Sequence, residues 1–368
     1  MQKLTSSAPG RICLFGEHQD YLGFPVMAAA IDLTIDIIGN VSKGHEVDVE
    51  LPDMGTRVSF DTRNIQYSGE KDYLKSVIKV LKEKGLYEER RIEAVVKGNV
   101  PIQAGTSSSA AFVVAWTRFV LKASERYSDY YIKNPAEVGE LAYLAEVVEF
   151  AESGGRMDQY ASAVGGIVYF DFHGSQNSGG KIVVTSLRPI IKEFVLGDSH
   201  QPKDTQKTLK RGRTSQLEAF RELAEFMPFR DNFDVTVEVA EPYLDKISAE
   251  KRPYLRAALM NHHITDAARD EFLSQSPNIH KIAALMNRHH AILRDDLKVS
   301  TEKIDTMIEK SLEAGALSGK INGSGEGGCM FAFCPGKQEE VAEAIKKAGG
   351  TPYIINIGKD ENRKDKTV

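Results

Sequence analysis

The segment Gly98–Ala115 constrains the fold of this chain more than any other. Its sequence, GNVPIQAGTSSSAAFVVA, joins the end of a strand to an apolar helix through a glycine turn and three serines. Gly105 permits a positive backbone φ or a close approach of the backbone to a ligand. The N-terminus of the following helix offers free N–H groups and a partial positive charge, and small serine side chains leave room for a phosphate. The pattern predicts an anion cradle; an ordinary helix capped by serine is the alternative.

This cradle is not one of the common nucleotide-binding loops. The sequence contains no GxxxxGK[ST], and the signatures of protein kinases are missing. The segment Gly323–Gly328 matches GxGxxG, but the strand-like Cys329–Phe333 follows it where a dinucleotide-binding loop would open a helix. The cradle therefore indicates a different phosphate-handling fold.

Two further segments carry polar side chains that are suited to chemistry. Residues 10–21, GRICLFGEHQDY, place an arginine, two acids, a histidine and a tyrosine around a short apolar strand. Such a cluster suits a ligand with several hydroxyl groups, and a polar surface turn is the alternative. Residues 154–160, GGRMDQY, place Asp158 just after a glycine break.

The helix expected before Asp158 carries Glu146, Glu149 and Glu152 at three-residue spacing. Acids in this pattern usually form a solvated stripe. In the alternative interpretation one of them binds magnesium and Asp158 acts as a base near a transferred phosphate, because hard cations prefer carboxylate and hydroxyl oxygens.

The hydrophobic pattern predicts a mixed α+β chain. The strands expected in the first half are Arg11–Phe15, Val26–Ile38, Glu46–Leu51, Arg57–Phe60, Ile92–Gly98 and Val164–Phe172. Its expected helices are Tyr73–Lys84, Ser107 to about Ala123, and Pro135–Glu152. The second half is expected to be mostly helical between Gln216 and Ala314. It is expected to close with strands at Lys320–Asn322 and Met330–Cys334, a helix at Gln338–Lys347 and a strand at Pro352–Ile357.

The length of the chain indicates two domains. Its 368 residues exceed the roughly 250–300 at which one core usually stops growing, so two domains that share a cleft are expected. We expect the boundary near residue 190, which gives domains 1–190 and 191–358. Gly174–Gly180 is expected to form a turn, and residues 359–368 a flexible tail.

Charge and cysteine content argue against several classes of function. The 47 basic and 52 acidic residues give a formal charge of -5, so no global positive field attracts nucleic acid or an anionic membrane. Cys13, Cys329 and Cys334 form neither a disulfide framework nor a CxxC metal site. No segment has the composition of a signal peptide or the ~18 apolar residues of a membrane span. We expect a cytoplasmic protein without nucleic-acid or membrane partners.

Taken together, the motifs resemble a known family. GRICLFGEHQDY, VPIQAGTSSSAA and INGSGEGGC, in this order, closely resemble the signature motifs of the GHMP kinases, which include galactokinase, homoserine kinase, mevalonate kinase and phosphomevalonate kinase. The first motif resembles the galactokinase form, since mevalonate kinases have lysine after the glycine and lack the D-Y. The resemblance covers roughly Ser7 to Phe333. It implies a two-domain α+β GHMP kinase fold with the active site in the interdomain cleft.

The resemblance also implies the reaction and the site residues. ATP with Mg²⁺ would phosphorylate a small-molecule sugar at its anomeric hydroxyl, as in a galactokinase-like sugar 1-kinase. Asp158 would orient or deprotonate that hydroxyl, and Arg11 would stabilise the developing charge. The implied sugar site is Glu17, His18, Asp20 and Tyr21. The implied ATP site is Gly105, Thr106, Ser107, Ser108, Ser109 and Ala110, with Gly323 and Gly325 from the second domain. The implied Mg²⁺ ligands are Ser109 and Glu146.

The chain departs from the galactokinase pattern in ways that concern the acceptor. Cys13 and Gln19 replace the usual Asn and Thr of the first motif, and Ser324 and Glu326 replace Gly and Phe of the last. By position, Lys207 stands where galactokinases carry a sugar-contacting tyrosine. An ammonium in place of an aromatic hydroxyl predicts that the acceptor is not simply galactose and is anionic or differently configured.

Several acceptors therefore remain open at the level of sequence. Galactose and another hexose are equally compatible, and the alternatives are another small alcohol, such as a uronic acid, an inositol or mevalonate. A catalytically inactive sugar sensor is a further alternative. The intact Arg11, Ser109, Glu146 and Asp158 argue against the sensor, because a sensor does not need a base and a metal ligand.

Overall fold

Two β-sheets with helices packed against them make up the described part of the chain. The computed structural model describes residues 1–67, 69, 71–101, 105–173 and 182–357. The turn expected at Gly174–Gly180 and the tail expected at 359–368 lie outside the described residues. The prediction of an α+β fold is confirmed.

The first sheet is built on one long strand, and we call it, with its helices, the N-terminal lobe. Its strands are β1 (Gln2–Phe15), β2 (Val26–Ser42), β3 (Glu46–Leu51), β4 (Thr56–Asp61), β5 (Arg91–Gly98), β6 (Ile167–Asp171) and β7 (Val183–Leu187). Their order is β4-β3-β5-β2-β6-β7, with β1 also paired to β2. All pairs are antiparallel except β3 with β5.

Within the described residues, five α-helices belong to the N-terminal lobe. They are α1 (Tyr73–Glu83), α2 (Ser108–Ala123), α3 (Asp129–Lys133), α4 (Pro135–Tyr143) and α5 (Met157–Val164). Helix α2 is apolar on nearly all sides and is therefore buried, with Trp116 stacked on Phe119. The indole N–H of Trp116 donates to the carbonyl of Leu74, which ties α2 to α1.

The second sheet, with its helices, forms the C-terminal lobe. Its strands are β8 (Glu193–Asp198), β9 (Ser318–Asn322), β10 (Cys329–Phe333) and β11 (Thr351–Asn356), in the antiparallel order β11-β8-β10-β9. Its helices are α6 (Thr205–Phe226), α7 (Val237–Ala240), α8 (Arg252–Leu273), α9 (Ile279–Asp295), α10 (Glu302–Glu313) and α11 (Gln338–Lys347). None of the helices in the described ranges is both long enough and apolar enough to cross a bilayer.

The two lobes share a hydrophobic core. Leu14 and Phe15, at the end of β1, are fully buried in the same cluster as Met330 and Phe331 of β10. A bridge between Ile31 and Ile357 extends this contact to the end of β11. The end of β1 is therefore held by both lobes, and the motif that follows it starts from a fixed point.

The structure corrects several of the expected elements, among them the strand expected at Val164–Phe172, which begins only at Ile167 because Val164 ends α5. The strand expected at Arg11–Phe15 is the last part of the much longer β1, and α2 begins at Ser108 instead of Ser107. The helix expected over Pro135–Glu152 ends as an α-helix at Tyr143 and continues as one π-helical turn over Leu144–Val148. A π-turn widens the helix locally, so the residues that follow it no longer keep the predicted spacing.

Candidate active site

A cleft of about 1200 Å³ lies between the lobes and brings the separate sequence motifs together. Its lining includes Arg11, Glu17, His18, Asp20, Gly105, Ser107, Ser108, Ser109, Glu146, Asp158 and Gly323. Apolar side chains of the first sheet and α2 form another part of the lining, namely Ile35, Leu51, Val58, Val96 and Phe112. The cleft thus offers both a polar surface and an apolar surface.

The cradle is formed by backbone at the start of α2. Gly105 has φ +90, and a Cβ there would lie 2.8 Å from the carbonyl oxygen of Asn322 in the C-terminal lobe. Ser107 has φ 57 and caps α2 without a side-chain hydrogen bond. The serine-cap alternative therefore does not describe Ser107, whose hydroxyl donates instead to Oδ2 of Asp158 at 2.5 Å.

Arg11 and Asp158 form an ion pair at the cleft. Nε of Arg11 donates to Oδ1 of Asp158 at 2.9 Å, and Nη2 lies 2.8 Å from the same oxygen. Nη1 donates to the carbonyl of Gly105 at 2.7 Å. The guanidinium thus joins the cradle to the carboxylate, with Arg11 buried and the Asp158 side chain about one-third exposed.

Glu146 lies on the π-turn and is buried beside α2. Burial raises its pKa to about 7, although hydrogen bonds from Gln159 and Ser109 lower it. Nε2 of Gln159 donates to Oε2 of Glu146 at 2.8 Å. The described residues contain no group of three or more His, Cys, Asp or Glu that could hold a metal ion. The carboxylate of Glu146 and the hydroxyl of Ser109 nevertheless fit an Mg²⁺ whose other ligands are phosphate oxygens and water.

The other acids of the expected stripe are not merely solvated. Glu149 pairs with Lys79, and its Oε1 accepts a hydrogen bond from the hydroxyl of Tyr67 at 2.8 Å. Glu152 lines the cleft and accepts a hydrogen bond from Gln206. The stripe interpretation is wrong because the π-turn and the end of the helix direct the three side chains to different neighbours.

Of the four residues expected to bind sugar, Glu17, His18 and Tyr21 have side chains that contact one another or the last strands and loop of the C-terminal lobe. Glu17 is buried, pairs with the ammonium of Lys320 and accepts from the N–H of Gly323. His18 is buried, which lowers its pKa to about 4. Its Nε2 lies 2.9 Å from the carbonyl of Ser324, so Nε2 carries the proton and Nδ1 accepts from the hydroxyl of Tyr21 at 3.1 Å. These contacts connect the first motif to the C-terminal lobe.

Asp20 is the expected sugar-binding residue whose carboxylate can still accept hydrogen bonds from a ligand in the cleft. Oδ1 of Asp20 accepts from the N–H of Tyr21 at 3.0 Å, and Oδ2 accepts from the N–H of Met157 at 3.4 Å. Each oxygen keeps a further lone pair that can accept a hydrogen bond from a ligand. Burial, reinforced by the charge of Asp158, raises the pKa of Asp20 to about 6. A Cβ on Gly155 would overlap Oδ2, so that glycine makes room for the carboxylate.

The remaining predicted ATP-site residues differ in their access to the cleft. Thr106 and Ala110 are buried and do not belong to its lining. Gly323 lies against the cradle, because a Cβ there would be 3.0 Å from the carbonyl oxygen of Gly105. Gly325 packs on Val299 outside the lining. The last motif therefore supports the cradle through Gly323 rather than Gly325.

The structure places Lys207 outside the cleft, which disagrees with the prediction that it contacts the substrate. It is exposed in the first turn of α6, where its N–H donates to Oδ1 of Asp204 at 3.0 Å. The lysine that lines the cleft is Lys203. The sequence did not indicate it, because no local feature separates Lys203 from the other lysines of this polar segment.

Lys203 supplies a cation next to the cradle. A Cβ on Gly105 would lie 3.0 Å from its Nζ. Within the described ranges, its ammonium makes no hydrogen bond or ion pair. Burial and the neighbouring Arg11 lower the pKa of Lys203 below its ordinary value. An anionic group in the cleft would therefore find a cation without a carboxylate partner.

Asn322 is a second residue that was not among the predicted site residues, although it belongs to the motif INGSGEGGC. It is fully buried at the end of β9, its Oδ1 accepts from the N–H of Cys13 at 2.9 Å, and its Nδ2 donates to the carbonyl of Gly105 at 2.9 Å. One side chain of the C-terminal lobe thus holds both the first motif and the cradle.

Comparisons of the sequence with known families cover more than half of the chain. The GHMP kinases N-terminal domain matches residues 72–166, the GHMP kinases C-terminal region matches residues 268–351, and the galactokinase galactose-binding signature matches residues 2–41. The galactose-binding signature contains Arg11 and Asp20.

Individual relatives include both mevalonate kinases and galactokinases. The mevalonate kinase of Thermococcus onnurineus is 30% identical over 368 residues, which cover 96% of each chain. A galactokinase of Clostridium perfringens is 28% identical over 382 residues, which cover 95% of this chain and 92% of that protein.

Solved structures show the same fold. The Lactococcus lactis galactokinase complexed with galactose superposes with a TM-score of 0.82 at 22% identity, covering 97% of this chain and 94% of that chain. The Methanococcus jannaschii mevalonate kinase superposes with a TM-score of 0.70 at 17% identity, covering 97% and 99%.

Proposed function

Because the chain belongs to the GHMP kinase family of small-molecule kinases, we propose that it transfers the γ-phosphoryl group of ATP to the anomeric hydroxyl of a monosaccharide. The observation that carries the proposal is the contact of Asp158 with both Arg11 and Ser107 at the cradle. It combines a carboxylate, a cation and a helix N-terminus at one point, which is what phosphoryl transfer requires.

Asp158 is the residue that we assign to the acceptor hydroxyl. Its Oδ2 already accepts from Ser107, but each carboxylate oxygen has two lone-pair directions and can accept a second hydroxyl. The acceptor O–H donates to this oxygen, which orients the nucleophile and receives its proton as the phosphoryl bond forms. Arg11 holds the carboxylate in place and presents its remaining charge to the transferring group.

The cradle and the apolar lining are the parts that we assign to ATP. The backbone from Gly105 to Ser109 would bind the phosphates, and the apolar side chains around Phe112 would contact the base. Ser109 and Glu146 would hold Mg²⁺, which neutralises phosphate charge when it is bound. Lys203 adds a second cation next to Gly105.

Asp20 supports a sugar as the acceptor. Its carboxylate faces the cleft with unused lone pairs and lies within the segment matched by the galactose-binding signature. A polyol with several hydroxyl donors suits such an acceptor group.

Mevalonate is the second candidate acceptor, and two observations favour it. Mevalonate kinases are among the relatives that match nearly the whole chain. Mevalonate also carries a carboxylate, and Lys203 is a cation in the cleft without an acidic partner among the described residues. Arg11, in place of the lysine of mevalonate kinases, and the D-Y of the first motif favour the sugar.

The proposal is tested by ADP release from Mg-ATP at neutral pH. The acceptor panel contains galactose, other neutral hexoses, amino sugars, uronic acids, inositol and mevalonate, with Asp158→Asn as the matched control. We expect turnover with a neutral hexose and a loss of that turnover in the control. Turnover with mevalonate alone would replace the sugar by the second candidate, and ATP binding without turnover on the whole panel would favour a sensor.

A further inference from the structure

The first turn of α6 carries a side chain that connects the two lobes across the cleft. Nε2 of Gln206 donates to Oε2 of Glu152 at 2.7 Å, and its Oε1 accepts from the N–H of Ser153 at 2.9 Å. Gln206 belongs to the C-terminal lobe, whereas Glu152 and Ser153 follow the π-turn of the N-terminal lobe. The Nε2 and Oε1 atoms of Gln206 thus both form hydrogen bonds with a segment about fifty positions earlier in the chain. We call these two hydrogen bonds the Gln206 bridge.

The segment bound by the bridge contacts the groups that we assign to the acceptor. Gly155 follows Ser153 by two residues and packs directly against the carboxylate of Asp20. Asp158 lies three residues further, at the start of α5. The bridge therefore acts on the backbone that determines where Asp20 and Asp158 stand relative to each other.

The helix that provides Gln206 is itself fixed to the last motif. The hydroxyl of Thr208 donates to Oε2 of Glu326 at 2.6 Å, and Nη1 of Arg211 lies 2.5 Å from Oε1. Glu326 was noted as a departure from the galactokinase pattern, and the structure brings it into contact with Thr208. The start of α6 is thus held at the Gly323–Gly328 loop, and the bridge extends from a fixed element.

We propose that Gln206 is a positioning residue for the molecule that accepts the phosphoryl group. It acts by holding residues Glu152–Gly155 across the cleft and against Asp20. This inference rests on the proposed function, because it takes the neighbourhood of Asp20 as the acceptor site. The bridge contacts neither the cradle nor the apolar lining in the described residues. It should therefore affect the acceptor far more than ATP.

The first experiment compares Gln206→Ala with Lys210→Ala, an exposed residue of the same helix. Initial rates of ADP release are measured at varied acceptor and at varied ATP, with the acceptor that the wild type phosphorylates. We expect Gln206→Ala to raise the acceptor KM about tenfold and to leave the ATP KM within about twofold, because two hydrogen bonds of ordinary strength are lost. Lys210→Ala should match the wild type. An unchanged acceptor KM, or an equal rise in both KM values, would overturn the inference.

The second experiment exchanges the amide and the carboxylate of the Gln206 bridge between the two lobes. Gln206→Glu places a carboxylate against Glu152 and should raise the acceptor KM more than Gln206→Ala does. In the double variant Glu152→Gln, Gln206→Glu, the amide lies on the other lobe and can donate to the new carboxylate. The acceptor KM should therefore fall most of the way back to the wild-type value. A double variant no better than Gln206→Glu would overturn the inference even if both proteins fold normally.

The two proposals fail in different ways. Wild-type turnover together with a normal acceptor KM in Gln206→Ala would overturn the role of Gln206 and leave the proposed function intact. The absence of wild-type turnover with every acceptor would overturn the proposed function, and the inference that rests on it would fall as well.

Discussion

Asp20 is held in an environment that makes its charged form unfavourable. Its pKa rises from the ordinary 3.8 to about 6, because the carboxyl is buried and lies near Asp158. The folded protein therefore binds a proton that the unfolded chain has already lost between these two pH values. Stability decreases as pH rises from about 4 to about 6 and stays lower above that range, where Asp20 is ionised in both states.

Asp20→Asn should therefore stabilise the protein while damaging its activity. At pH 7.5 the expected gain in the free energy of unfolding is up to about 3 kcal/mol, and at pH 5 it should be about half as large. Thermal and urea unfolding at the two pH values measure this difference. A variant that is less stable than the wild type at pH 7.5 would contradict the account of the buried charge.

The same carboxylate predicts a pH dependence of acceptor binding. Below pH about 6 Asp20 becomes neutral and accepts hydrogen bonds from hydroxyl groups less strongly, so the acceptor KM of the wild type should rise as the pH falls. Asp20→Asn should have an acceptor KM roughly 10-fold to 100-fold higher that no longer changes over this range. An acceptor KM in Asp20→Asn equal to that of the wild type would place the acceptor elsewhere in the cleft.

Asp158 should be needed for turnover more than for binding. Asp158→Asn keeps the size of the side chain but removes the charge that pairs with Arg11, so kcat should fall by about 10²-fold or more. Ser107→Ala removes one hydrogen bond to the same carboxylate and should lower kcat by only about tenfold. ATP binding, measured by calorimetry, should stay near the wild-type value in both variants. Near-normal turnover in Asp158→Asn would give that residue a structural role.

At the level of elements, the start of α2 depends on a glycine for two separate reasons. Gly105 needs a positive φ, and a Cβ would approach both Asn322 and Lys203. Gly85, which follows α1, has φ +68 but no neighbouring atom within 4 Å of a Cβ. A comparison of substitutions at Gly105 and Gly85 therefore distinguishes the effect of backbone strain from the effect of a Cβ close to neighbouring atoms.

Gly105→Ala should raise the ATP KM by at least about tenfold, because the cradle must move away from Asn322 and take its N–H groups with it. Gly85→Ala should cost about 1 kcal/mol of stability from the backbone alone and leave the kinetics unchanged. Steady-state kinetics of both variants measures the ATP KM, and thermal unfolding measures the stability. An equal effect of the two changes on the ATP KM would show that contact with Asn322 does not matter.

The sequence predicted the elements better than it predicted their ends. Periodicity located α1 and α11 to within a residue, because each has an apolar face that packs on the interior, α1 on other helices and α11 on the second sheet, and because Gly85 ends α1. It missed the π-turn at Leu144–Val148, since an extra residue in a helical turn leaves no periodic signal. Glu146 lies on that turn and is buried. The pattern of acids left open which of them would bind Mg²⁺, and the choice of Glu146 came from the family resemblance.

At the level of the whole molecule, the motifs could be found along the chain but their contacts could not. Lys203 and Gln206 lie outside the three motifs, and Asn322 lies in the last of them without being among the predicted site residues. Each enters the cleft region only because the C-terminal lobe folds against β1 and the cradle. No local property of a lysine or a glutamine in a polar segment distinguishes it from an exposed neighbour such as Lys207. The boundary expected near residue 190 stays a prediction, although the last strand of the first sheet ends at Leu187 and the first strand of the second begins at Glu193.

One buried ion pair connects the two lobes and allows their coupling to be measured. Glu17 follows β1, Lys320 lies in β9, and both side chains are almost fully buried. The removal of one partner leaves a buried charge without compensation, which typically costs about 3–5 kcal/mol, whereas the removal of both leaves none.

Glu17→Gln and Lys320→Met should therefore each lower the free energy of unfolding by about 3 kcal/mol or more, and the double variant should lose much less than the two losses together. The matched control is the exposed pair Lys337 and Glu340, where the same changes should have effects below about 1 kcal/mol. Because Glu17 also accepts from the N–H of Gly323 beside the cradle, the single variants should raise the ATP KM as well. Purely additive losses at Glu17 and Lys320 would mean that this ion pair does not couple the two lobes.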